Sequence, residues 1–100
     1  MMTLNDIEKA SILSDTPVVK NIFNTDGSKL IAIGMKCGVI LKEHIAPCKA
    51  KLMVIKGEID FNTQTESRRL ATYDSYDIPL DMPHSVEAYE DALFLLMLES

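Results

Sequence analysis

The feature that most constrains this chain is its punctuation. Short runs rich in Val, Ile and Leu recur every 8–12 residues, and each is closed by a turn signal. The runs are "PVVKNIF", "LIAIGM", "VILKEHIA", "AKLMVIKGEIDF", "RRLATY", "SYDIPL", "HSVEAY" and "ALFLLMLE". Between the first two stands Asp26-Gly27, a tight-turn pair. Cys37-Gly38 allows a bend, and Asp74, Asp81-Met82-Pro83 and Glu90-Asp91 separate the later runs. No helical period of useful length lies between them, so a parallel α/β sheet is disfavoured and a sandwich or closed all-β barrel is expected. The one helical cue is at the start, where Thr3 and Asp6 have capping-box spacing ahead of "LNDIEKASIL", enough for about two turns.

One hundred residues make one domain, with a core that holds without metals or disulfides. The chain is 47% hydrophobic and 25% charged, as in ordinary globular proteins. Its net charge of −5 argues against nucleic acid and anionic membrane surfaces as partners. Arg68-Arg69, the only basic cluster, reads as a solvated strand edge. The longest apolar run, "ALFLLML", is far shorter than the ~18 residues of a membrane span. The opening "MMTLNDIEKA" has no signal-peptide pattern, so a cytoplasmic location is expected. Cys37 and Cys48 then read as reduced thiols, not as a redox or zinc pair.

Chemistry concentrates on the only two histidines, His44 and His84. His84 follows "PLDMP", whose two prolines stiffen the approach to the next strand and hold the imidazole in direction. In a strand, residues i and i+2 share a face. If His44 points inward, Ala46 does too, while Glu43 and Ile45 point out. If His84 points inward, so do Val86 and Ala88, while Glu87 points out. The neighbouring carboxylates are therefore on the wrong faces to serve as ligands. Asp81 reads as a turn residue, with orientation of His84 by hydrogen bond as the alternative. Pro47 marks a turn before Cys48.

The spacing resembles the two motifs of the cupin superfamily. Gly38-x5-His44, continued to Gly57, matches the first motif, G-x5-H-x-H-x3-E-x6-G. Pro79 and His84 match the second, G-x5-P-x-G-x2-H-x3-N, in register over Tyr73 to Ala88. The resemblance runs from about Val18 to Leu98. It implies a double-stranded β-helix, or jelly-roll, barrel over about 18–98 within a single domain spanning 1–100, preceded by a short helical or extended arm. Departures fall on the ligand and turn positions. Ala46 stands at the motif's second histidine, Ala50 at its glutamate, Tyr73 and Asp81 at two glycines, and Ala88 at the asparagine.

The resemblance implies a mouth pocket that often holds a metal. Here the pocket residues are expected to be His44, His84, Ala46, Met82 and Tyr76. A divalent ion (Zn, Fe, Mn or Ni) would have His44 and His84 as donors and Cys48 as the candidate third, whereas catalytic zinc usually takes three protein ligands. Three readings follow. The first is a barrel that binds a small molecule with weak or no metal binding. The second is a metal-dependent oxygenase, isomerase or lyase using His44 and His84, and the third is a purely structural dimeric module. Apolar residues on both strand parities, Met53 and Ile55 as well as Leu52 and Val54, imply that one outer sheet face is covered. A homodimer packed sheet to sheet would cover it, and the resemblance implies the same.

Overall fold

The computed structural model describes residues 3–46 and 48–100. Pro47, expected to mark a turn, lies outside the described residues. Helix α1 (Leu4–Ile12) is followed by nine strands: β1 (Val18–Asn24), β2 (Ser28–Met35), β3 (Ile40–His44), β4 (Lys49–Lys56), β5 (Ile59–Asn62), β6 (Ser67–Leu70), β7 (Ser75–Ile78), β8 (His84–Ala88) and β9 (Ala92–Glu99). They form two antiparallel sheets, a five-stranded one in the order β1-β2-β9-β4-β7 and a four-stranded one in the order β3-β8-β5-β6. No strand belongs to both, so the barrel is two facing sheets with free edges at β1, β7, β3 and β6.

The expected elements are present, with one division the sequence conceals. "AKLMVIKGEIDF" reads as a single run, but the chain changes sheet at Gly57, from β4 to β5. Gly57 has a positive φ of 79°, and a Cβ there would meet the Asp91 carbonyl oxygen. Only glycine suits both the conformation and the close approach. The α1 start is as the sequence implies: the Thr3 hydroxyl accepts from the Asp6 N–H, and the Asp6 carboxylate accepts from the Thr3 N–H at 3.0 Å.

The core lies between the sheets. Alternation selects the inner residues: Leu52 and Val54 from β4, Ile59 and Phe61 from β5, Val86 and Ala88 from β8, and Phe94 from β9 are all buried. A second, smaller cluster lies outside the five-stranded sheet. There Ile7 of α1 is fully buried against Ala32 and Leu93, with Leu4, Val18, Ile55 and Leu95 around it. Burying Ile7 contributes on the order of 2 kcal/mol. Ile55, read from the sequence as calling for an outside partner, is thus covered by the chain's own helix. The approach is close because Gly34 has no side chain; a Cβ there would stand 2.8 Å from the Ser11 Cβ. No helix among the described residues is long and apolar enough to cross a membrane.

Candidate functional site

His44 ends β3 and His84 begins β8, and the two are direct cross-strand partners. Their ring centroids are 4.3 Å apart with planes tilted by 60°. Each imidazole is tethered in the same way, to the carbonyl two residues earlier in its own chain. Nδ1 of His44 lies 2.8 Å from the Lys42 oxygen, and Nδ1 of His84 lies 3.0 Å from the Met82 oxygen. A carbonyl only accepts, so Nδ1 donates in both rings. In the neutral rings Nε2 is then the unprotonated nitrogen, and it has no hydrogen-bond partner among the described residues. No buried side-chain nitrogen or oxygen among them lacks a partner, so neither Nε2 is a sealed orphan.

The two rings differ in environment. His84 is 2% exposed and stacks on Phe61, with centroids 4.9 Å apart and planes 20° apart. His44 is exposed, because β3 is an edge strand whose register shifts between Leu41 and His44. That shift breaks the strict alternation expected along β3. Glu43 and Ile45 face out and Ala46 is buried, yet His44 does not enter the core. On β8 alternation holds: His84, Val86 and Ala88 are buried and Glu87 is exposed. Burial pushes the His84 imidazole below its ordinary value of 6.5. The bond to Met82 opposes this, the neighbouring His44 adds to it, and Glu43 opposes it.

Phe61 carries the stack inward to Tyr76 on the facing sheet, with centroids 4.9 Å apart and planes 54° apart. The Arg68 guanidinium sits over that tyrosine, 5.3 Å from the ring centre. An aromatic file of His44, His84, Phe61 and Tyr76 therefore runs from the rim into the core. Phe61 was missed as a site residue. Its signal was its i+2 relation to Ile59, which places it on the inner face, but nothing in the sequence pairs it with His84.

The five expected pocket residues do not share one cavity. His44 lines a cleft of about 880 Å³ along the outside of β3, with Pro17 and Val39 to Glu43. A second cleft of about 870 Å³ lies at one end of the five-stranded sheet, against Phe23, Leu30, Leu80, Met97 and Leu98. His84, Ala46, Met82 and Tyr76 line neither. The reason is physical: Ala46 and Ala50 fold into an apolar core, so the interior is filled with side chains rather than hollow. Met82 meets the site through its carbonyl, while its side chain is exposed. Asp81 does not orient His84. It takes a φ of 57° and donates its backbone N–H to the Ala46 oxygen at 3.1 Å, tying the turn to the end of the first motif.

The implied metal can be tested on the donors. Two imidazoles binding one ion through Nε2 at ~2.1 Å each have ring centres on the order of 4.5–5 Å apart when the ligand angle is near 90°. The observed 4.3 Å is close to that span. The set stops there, because no group of three His, Cys, Asp or Glu side chains converges among the described residues, and Cys48 does not join the pair. Two donors do not fit a resident ion held by three or more protein ligands. Both cysteines are free thiols.

The backbone keeps what the letters lose. Gly38, Gly57, Tyr73 and Asp81, with φ of 86°, 79°, 72° and 57°, are the positive-φ positions of the described chain. They are also the four glycine positions of the two motifs.

No protein-family model matches the chain, and no curated protein matches it. Solved structures do. A conserved protein of unknown function from Streptococcus pyogenes is 19% identical, with a TM-score of 0.78 over 86% of this chain and 75% of its own. A cupin-2 domain containing protein from Shewanella frigidimarina is 16% identical, with a TM-score of 0.76 over 100% of this chain and 95% of its own. The DMSP lyase DddQ from Ruegeria pomeroyi is 18% identical, with a TM-score of 0.76 over 84% of this chain and 47% of its own.

Proposed function

The chain is a small cupin domain by fold, and on that premise we propose that it binds a small molecule through the His44–His84 pair at the barrel rim. The observation that carries this reading is the matched tethering of both imidazoles through Nδ1. It leaves two adjacent Nε2 lone pairs with no partner among the described residues. Two such acceptors suit a ligand that offers two donors close together, such as a pair of hydroxyls or N–H groups. The flat faces of His84 and Phe61 add an apolar surface beside them. Burial keeps His84 neutral at neutral pH, so it accepts rather than offers charge. Ala46 and Ala50, both buried and apolar, remove the remaining donors a tight metal centre would use.

A metal-dependent enzyme is the second reading. The near match between the ring separation and a one-ion span favours it, and solved proteins of this fold include a lyase.

A thermal-shift screen on untagged protein, run with and without a chelator, separates the two. Under the binding reading, a hit bearing paired donors raises the melting temperature equally in both conditions, and His44→Ala abolishes the shift. A shift that disappears with chelator and returns with added zinc or nickel supports the metal reading instead. If no compound and no ion shifts the protein, both fall and the structural module stands.

A further inference from the structure

The outer faces of the two sheets differ in kind. On the four-stranded sheet, Asp60 lies opposite Glu87 on one side and Arg69 on the other. Arg69 bonds to Asp60 through Nε, lies 3.9 Å from Glu58 and stacks on Tyr89 with 3.6 Å from guanidinium to ring centre. That face is a closed charge network suited to water.

The five-stranded sheet reads the other way, row by row. Val18, Gly34 and Leu93 are in register, and α1 packs over this end. The next row is Lys20, Ala32, Leu95, Met53 and Ser75. Then come Phe23, Leu30, Met97, Lys51 and Asp77, which lie beyond the helix cluster. Phe23 is 59% exposed, Leu30 and Met97 are half-buried, and the row floors the 870 Å³ cleft. Ser28, Glu99 and Lys49 form the last row.

We infer that a second copy of this chain docks on this uncovered end, making a two-fold dimer sheet to sheet. Three observations select a second copy. First, the patch continues the apolar surface that α1 already covers, so it is the unfinished half of a buried face. Second, its charges are self-complementary. Lys51 pairs with Asp77 at 3.6 Å within the row, while Lys49 and Glu99, opposite each other in register, make no ion pair among the described residues. A two-fold axis near Met97 brings Lys49 of one copy towards Glu99 of the other, twice, and lays the Lys51 stem along Leu30. Third, the size fits. Five strands at ~4.8 Å and about six residues at ~3.3 Å give a face of roughly 24 by 20 Å, comparable to the footprint of a standard interface burying ~800 Å² per partner.

Sedimentation velocity across a concentration series tests this. The expected result is a dimer at micromolar concentration that Met97→Glu converts to monomer, with circular dichroism confirming the fold. Lys49→Glu and Glu99→Lys should each weaken association by about three- to tenfold, and the double swap should restore most of it, a reversal no purely structural effect produces. A wild-type monomer at all concentrations overturns the inference. So does a dimer that survives Met97→Glu, and so does a monomer that takes up a lipid or peptide on this face.

Discussion

At the residue scale, backbone sign and side-chain burial act independently of the letters that usually mark them. Tyr73 holds a left-handed conformation with its ring 80% exposed, so it bears steric strain with little packing in return. Tyr73→Gly is expected to stabilise the protein by about 1 kcal/mol in urea unfolding. Gly57→Ala should cost at least about 3 kcal/mol, because positive φ and the Asp91 carbonyl both oppose a Cβ.

His84 sets a pH dependence. Its folded-state value lies below the unfolded value near 6.5, so the unfolded chain binds more protons between the two. The stability from its neutral burial is therefore complete above about pH 6.5 and declines as pH falls towards the folded value. Urea midpoints at pH 7.5 and 5.5 should fall further for wild type than for His84→Gln, and the NMR titration of His84 should have its midpoint below 6.5. The two histidines were legible in the sequence because motif spacing survives in Gly38, His44, Gly57, Pro79 and His84. Their shared tethering was not legible, because an i−2 carbonyl contact depends on a β3 register shift that no letter encodes.

At the scale of elements, most strands were legible from period-two patterning and turn residues. The exception is instructive. β4 and β5 read as one run because Lys56-Gly57-Glu58 carries no proline or Asn-Gly signal, only a glycine whose role depends on a contact with Asp91, 34 positions later. Likewise Met53 and Ile55 seemed to require an outside partner equally, but α1 reaches Ile55 and stops short of Met97. The docking of α1 hinges on Gly34. Gly34→Val is expected to lift the helix off β2, lower stability by about 2–3 kcal/mol and remove hydrogen-exchange protection from α1 amides while β9 stays protected. Thr3→Ala should cost only about 1 kcal/mol, which separates loss of a cap from loss of the packing beneath it.

At the scale of the whole molecule, the sheets share a core but no strand, so cohesion across the gap rests on side chains such as Phe61, Leu52 and Phe94. Protection should follow sheet position. Native-state hydrogen exchange is expected to be slowest in β2, β9 and β4, intermediate in β8 and β5, and fastest in the edge strands β1, β3, β6 and β7. An edge strand as slow as β9 would count against this order unless the second copy covers it.

The position of β9 has a consequence for how the protein is made. Of the nine strands it is the last to be synthesised, yet it lies between β2 and β4 and separates the N-terminal hairpin from the rest of the sheet. Until residues 92–99 clear the ribosome, β2 and β4 each present an unpaired apolar edge where β9 will lie. Nascent chains stalled before Ala92 should therefore recruit holdase chaperones, and those stalled well past Glu99 should release them.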